Sequence, residues 1–234
     1  MQLFFHANLN DKFFELPEDE SKHCIRVLRK KTNDQITIID GKGNKALCKI
    51  IDDNAKKCKL EIIETVHFDN NLKQNIHLVV APTKNFDRMD WMIEKCTEIG
   101  ISEITFIETE NSERNKINIE RCEKILIQAI KQSKQYWLPK INNIISYNSF
   151  FKNIKTEDYN CLLAWCIEEK ISINSVFNQY KPTLIMIGPE GDFTENEVKI
   201  ALQKNFKPIS LGNNILRTET AAIYTCSVLN YLYS

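Results

Sequence analysis

Residues 76–81 form an apolar run interrupted only by His77, and the stretch that follows constrains the fold more than any other part of the chain. Apolar residues at every position but His77 suit a strand buried on both faces. Over 86–100, Phe86, Met89, Ile93 and Cys96 fall on one helical face, and Gly100 can close the helix in a left-handed conformation. Residues 104–107 then read as a second strand. Strand, helix and strand in this order predict a parallel pair joined by a right-handed crossover. The alternation continues with a helix over 119–135, strands over 161–165, 184–187 and 208–211, and helices over 194–204 and 218–232. Thr194 and Glu197 form a capping-box pattern at the head of one of these helices. The expected architecture is an open α/β sheet, and such sheets bind ligands beyond the carboxyl ends of their strands.

Residues 1–70 have a different texture. Short strands are expected over 3–5, 35–39, 46–51 and 59–65, with Asp40-Gly-Lys-Gly-Asn44 as a hairpin turn. Between 18 and 29 the periodicity is helical, repeating His23, Arg26 and Arg29 on one face or alternatively Cys24, Val27 and Leu28. A small β-barrel carrying one helix fits this pattern. The polar run 68–75 is the expected linker, giving domains 1–70 and 71–234.

Composition then narrows the class. A hydrophobic fraction of 43% and a charged fraction of 26% are those of an ordinary globular protein. No stretch approaches the roughly 18 apolar residues that a membrane span needs. The start of the chain, Met1-Gln-Leu-Phe-Phe-His-Ala, has neither the basic region nor the apolar core of a signal peptide. The eight cysteines form no C-x-x-C pair, so reduced, mostly buried thiols and no metal site are expected. A cytoplasmic location follows as the expectation. The formal net charge is zero, yet residues 20–59 hold eleven Lys and Arg against five Asp and Glu, a local excess of +6. The N-terminal part is therefore the candidate for touching a polyanion.

Of only six glycines, Gly188, Gly191 and Gly212 fall in two strand-to-helix turns, Ile187-Gly-Pro-Glu-Gly-Asp-Phe193 and Leu211-Gly-Asn-Asn-Ile-Leu-Arg-Thr-Glu-Thr-Ala221. Glycine in such turns permits positive φ or close approach of a ligand to the backbone, so one shared site is expected. The Gly188-Pro-Glu-Gly191 turn is neither a phosphate loop nor a dinucleotide fingerprint. Pro189 presets φ, and Gly191 can take a left-handed position in a rigid turn. The last helix is expected to start at Thr218, whose side chain would cap the first amides. Glu219 suits the first turn of a helix, whereas Arg217 does not. A cation beside a helix N-terminus opposes the dipole unless an anion or developing negative charge lies nearby, which marks Arg217 as functional.

These two runs resemble the signature of the RsmE family, bacterial 16S ribosomal RNA uridine-N3 methyltransferases of the SPOUT class. His23-x-x-x-Val27-Leu-Arg29, Lys84, Lys95-Cys-Thr-Glu98-Ile-Gly100 and Gln132-Ser133 with Pro139-x-Ile141 extend the resemblance over nearly the whole chain. Asn214 stands where the family commonly has Arg, and Gln135 where an Arg often follows the Gln-Ser pair.

The resemblance implies an N-terminal PUA-like, RNA-binding β-barrel and a C-terminal SPOUT domain whose sheet is tied in a deep trefoil knot. It implies a homodimer acting on 16S rRNA of the small ribosomal subunit, with S-adenosyl-L-methionine as methyl donor. The cofactor would be held by Ile187, Gly188, Pro189, Glu190 and Gly191 on one turn, and by Leu211, Gly212, Asn213, Ile215 and Leu216 on the other. Methylating uridine N3 requires the ring imide to lose a proton, so Arg217 is expected to stabilise the anionic base. Glu219 is the expected proton acceptor, with Glu190 as its competitor. RNA contacts are expected from His23, Arg26, Arg29 and Lys84, and packing roles from Trp91 and Trp137. Two other functions remain open, a ribose 2′-O-methyltransferase of the same class acting on transfer RNA and a non-catalytic RNA-binding or ribosome-assembly protein.

Overall fold

The computed structural model describes residues 2–70, 75–166 and 171–234. The chain divides into two compact units, Met1–Asn70 with Ile127–Leu138, and Asn71–Leu126 with Pro139–Ser234. Residues 71–74 of the expected linker lie outside the described residues.

In the smaller unit, β1 (Leu3–Phe5), β2 (Phe13–Glu15), β3 (Gln35–Ile39), β4 (Asn44–Asp52) and β5 (Lys59–His67) form one sheet in the order β1-β3-β4-β5-β2. Strands β1 and β3 run parallel and the remaining pairs antiparallel. Register shifts between Leu47 and Cys48 and between Ile50 and Asp52 increase the local twist. The sheet thereby curls around a core of Phe4, Leu16, Ile38, Cys48, Ile50 and Leu60. Among the described residues no pairing joins β1 to β2, so packing rather than a closed ladder makes this domain barrel-like. The hairpin turn forms as expected, with Asp40 Oδ1 accepting the Lys42 amide at 2.7 Å and the Asn44 amide at 3.0 Å.

The helix expected over 18–29 forms over 18–27 and changes from α to π geometry after Lys22. Helix α1 (Glu18–Lys22) passes into a π-helical turn, His23–Val27, where the Leu28 amide donates to the His23 carbonyl at 3.0 Å. Arg29 follows the helical turns with φ +55°, so it does not share the helical face expected for it with His23 and Arg26.

The larger unit contains β6 (Ile76–Val80), α2 (Phe86–Ile99), β7 (Glu103–Glu108), the first part of α3 (Ile119–Ser133), β8 (Lys140–Ser146) and α4 (Tyr147–Asn153). It continues through β9 (Asn160–Ala164), α5 (Ile173–Val176), β10 (Thr183–Ile187), α6 (Glu195–Gln203), β11 (Lys207–Ile209) and α7 (Thr218–Tyr233). The six strands form a sheet in the order β11-β9-β10-β6-β7-β8, parallel throughout. Strands β6 and β10 are buried at every residue, the polar His77 and Thr183 included, as a strand covered on both faces requires. Val79, Leu163, Leu184 and Met186 meet the aromatic side of α4 and the Val198–Ala201 turn of α6. Helix α7 packs on α2 and against β6 and β10, so helices cover both faces.

Local signals set the ends of these helices. The Asn85 side chain accepts the Asp87 amide at 2.8 Å at the head of α2, and Gly100 ends it with φ +106°. Thr194 and Glu197 form the capping box of α6. No helix among the described residues is long and apolar enough to cross a membrane. Seven of the eight cysteines are buried and all are free.

Residues 127–138, assigned from sequence to the larger domain, group with the smaller unit. Ile130 packs with Leu3 and Ile39, and Lys131 pairs with the part-buried Glu20. Trp137 Nε1 donates to the Phe68 carbonyl at 2.9 Å, the packing role expected of it. Trp91 differs, remaining 46% exposed on α2.

Candidate active site

The turns that follow β9, β10 and β11 line a cleft of about 480 Å³ in the larger unit. Its walls are residues 164–166, 187–190 with Asp192, and 210–218 with Ala221. Three strand ends of one parallel sheet thus converge on the position such sheets reserve for ligands.

A buried hydrogen bond joins the two glycine-bearing turns. Thr218 Oγ1 donates to the Gly188 carbonyl at 2.9 Å. Thr218 is the first residue of α7, and its hydroxyl satisfies this carbonyl instead of capping the helix. The N-cap is Arg217, with no side-chain capping bond.

The Gly188–Asp192 turn is stiffened by its own side chains. The Asp192 amide donates to the Pro189 carbonyl at 3.0 Å. The left-handed residue is Asp192, with φ +58°, and not Gly191 as expected. Asp tolerates this conformation because its carboxylate bonds locally, here accepting the Phe193 amide at 2.8 Å. The other Asp192 oxygen accepts the Cys166 amide at 3.3 Å and ties the turn to the end of β9. Burial and the Asp192 carboxylate raise the Cys166 thiol above its ordinary pKa, which keeps it protonated. At Gly188 a Cβ would approach the Phe193 ring to 3.0 Å, a contact that explains the glycine. Gly191 lies outside the cleft lining, where its carbonyl and that of Asp192 accept from Asn111 Nδ2 at 3.1 and 3.0 Å.

The second turn is more open. Gly212 has φ +122°, and among the described residues no heavy atom beyond its own chain neighbours lies within 4 Å of where its Cβ would stand. Ile215 lines the same cleft while 87% exposed. Arg217 is exposed at the cleft wall, and its side chain has no hydrogen-bond or ion-pair partner among the described residues. An uncompensated cation therefore sits at the positive end of α7, where it costs stability unless an anion joins it.

Glu219 is placed elsewhere. Its side chain is 7% exposed, lies outside the cleft lining, and meets Arg88 Nε of α2 at 3.6 Å. The first turn of α7 points this side chain into the α2–α7 packing, so it does not reach the cleft as the expected proton acceptor. Glu190 does line the cleft, and its Oε1 accepts the Lys84 amide at 3.3 Å. Lys84 Nζ pairs with Glu113 at 2.7 Å, and that carboxylate raises the lysine's pKa.

A model of the RNA methyltransferase domain matches residues 69–230, and one of the RNA methyltransferase PUA domain matches residues 16–63. The ribosomal RNA small subunit methyltransferase E of Rickettsia conorii is 32% identical over 227 residues, 94% of this chain and 90% of the relative. The chain belongs to the ribosomal RNA small subunit methyltransferase E family. A probable rRNA methyltransferase of Porphyromonas gingivalis superposes with a TM-score of 0.93 at 34% identity, covering 100% of both chains. A small subunit methyltransferase E of Neisseria gonorrhoeae, solved bound to S-adenosyl methionine, gives 0.89 at 27% identity over 100% of this chain and 98% of that one.

Of the cofactor residues expected in this methyltransferase family member, Ile187, Gly188, Pro189 and Glu190 all line the cleft. So do Leu211, Gly212, Asn213, Ile215 and Leu216, leaving Gly191 as the exception. Sequence reading missed Trp165, Cys166, Asp192, Ser210 and Thr218. The carboxyl-end rule applied to β9 would have found the first two. In the smaller unit Arg26 and Arg29 are exposed and His23 is half-buried, with Nε2 3.4 Å from Gln2 Nε2.

Proposed function

We propose that this protein transfers a methyl group from S-adenosyl-L-methionine to N3 of a uridine in 16S ribosomal RNA. The observation that carries the reading is Arg217, an uncompensated cation at the wall of a glycine-shaped cleft. The residues present fit the cofactor. About 480 Å³ lies within the roughly 300–1,000 Å³ of small-molecule sites. The open space over Gly212 and the exposed Ile215 offer a backbone-lined, apolar slot of the kind an adenosine fills. When bound, the cofactor supplies an electrophilic methyl group carried on a sulfonium.

In this reading Glu190, at the cleft, takes the N3 proton, and Arg217 faces the negative charge left on the uracil carbonyl oxygens. Glu219, paired with Arg88, positions the head of α7 and with it Arg217. The basic π-helical turn with His23 and Arg26, the following Arg29, and Lys84 hold the RNA backbone.

The reading includes a homodimer in the cytoplasm. The half-exposed Trp91 and Tyr224 and the more exposed Tyr231 give α2 and α7 aromatic surface that a second copy would cover. A Trp91→Glu variant that stays dimeric in light scattering would remove this surface from the interface. The knotted path of the sheet belongs to the same reading. Pulling the two ends should leave the chain short of the roughly 3.3–3.6 Å per residue of full extension. Full extension would exclude the knot.

Deleting the gene should remove one 3-methyluridine from the 16S RNA, and purified protein with cofactor should restore it in subunits from the deletion strain. An unchanged nucleoside mass spectrum, or loss of a 2′-O-methylated transfer RNA nucleoside instead, would overturn the reading.

A further inference from the structure

The carboxyl ends of β6 and β7 carry a feature that the methyl-transfer step leaves unused. Phe86, the first residue of α2, is 49% exposed. The Arg114 guanidinium lies over its ring, with Cζ 3.5 Å from the centroid. Arg121 approaches the same ring at 5.9 Å, but its charge is met by Asp90 through a 2.9 Å bond from Nε. Arg114 has no carboxylate partner among the described residues. Its Nη2 donates to the Lys84 carbonyl, and its buried Nε has no acceptor. The Lys84 amide in turn donates to Glu190 Oε1, and Glu190 lines the cleft. The stack is therefore two hydrogen bonds away from the cleft wall.

Unstacked RNA bases rest on aromatic rings and on guanidinium planes, and the backbone that carries them favours uncompensated cations. A half-exposed ring layered with an arginine that lacks a counter-ion meets both requirements. We propose that Phe86 and Arg114 form a stacking platform for an unstacked base of single-stranded RNA beside the nucleotide that enters the cleft. The inference rests on the RNA methyltransferase reading and deepens it. It specifies that the substrate is presented as a splayed strand, with a base next to the target held apart from its neighbours. Stacking is tolerant of base identity, so the platform sets geometry more than sequence.

The test compares Phe86→Leu, which keeps an apolar side chain but removes the ring, with Phe86→Trp, and Arg114→Lys, which keeps the charge but loses the plane. Methylation kinetics are measured on small subunits from the deletion strain, cofactor affinity by calorimetry, and affinity for single-stranded oligouridine by fluorescence anisotropy. Phe86→Leu and Arg114→Lys should each raise KM for RNA about tenfold or more, with kcat and cofactor Kd within twofold, and Phe86→Trp should retain wild-type KM. An unchanged KM in Phe86→Leu would overturn the platform. So would a parallel loss of cofactor affinity and kcat, because that marks a purely structural role. Should the wild type methylate no ribosomal RNA, the proposed function fails separately. The oligouridine measurement then decides the platform, a weaker Kd in Phe86→Leu sustaining it and an equal one refuting it.

Discussion

Thr218 and Gly188 are joined by a buried 2.9 Å hydrogen bond, hydroxyl to carbonyl, that fastens the head of α7 to the end of β10. Through it the two turns of the cleft behave as one piece. Removing the hydroxyl leaves the Gly188 carbonyl buried without a partner, at about 1–3 kcal/mol. Thr218→Val should lower the unfolding free energy by that amount and weaken cofactor binding in calorimetry. Thr218→Ser, which keeps the donor, should preserve both.

Arg217 has a different signature. It occupies an N-cap position without capping, so its removal relieves an unfavourable charge. Arg217→Ala should leave thermal stability equal or slightly raised and cofactor Kd within a few-fold. Single-turnover methylation should fall by about 10²–10³, the scale for losing one preorganised charge at a developing anion. Turnover retained at the wild-type rate would remove it from the chemistry.

The Arg88–Glu219 pair separates position from chemistry. Glu219 is buried and Arg88 is partly exposed, so truncating the arginine strands a carboxylate in the α2–α7 packing. Arg88→Ala should cost about 1–3 kcal/mol in denaturant unfolding. Its methylation rate should fall with the same pH dependence as the wild type. A shifted pH profile would return Glu219 to the role of proton acceptor.

His77 should make stability depend on pH. It is buried in β6 with Nε2 2.8 Å from Thr105 Oγ1, and burial lowers its pKa from 6.5 to about 4, partly opposed by Glu103. The unfolded chain binds this proton below about pH 6.5 and the folded chain only near pH 4, so folding loses stability as pH falls through that window. Replacing His77 with Gln should flatten the loss between pH 6.5 and 4 in chemical denaturation. An unaltered slope would place the titration elsewhere.

Features decided within a few residues were legible from sequence. Gly100 ends α2 and Thr194 caps α6 because each acts on its own helix end. Arg217 stood out because its charge opposes the helix on which it sits. Strand β8 did not stand out, since a partly exposed edge strand holding Asn142 and Asn143 lacks the apolar run of β6. The left-handed residue of the Gly188 turn went to Asp192 because its carboxylate could pay the steric cost through local hydrogen bonds. Thr218 and Glu219 were misread for one reason. Their partners, Gly188 and Arg88, are distant in sequence, and only tertiary contact overrides the local preference for capping or for a first-turn acid.

The grouping of residues 127–138 with the smaller unit also bears on how the chain is made. Domains on a ribosome tend to fold as units, N-terminal first. Here the first 70 residues emerge without Ile130, Lys131 and Trp137, which Leu3, Ile39, Glu20 and Phe68 await. The N-terminal unit is complete only after more than half of the polypeptide has been synthesised. A fragment cut at the apparent linker is therefore an unfinished domain.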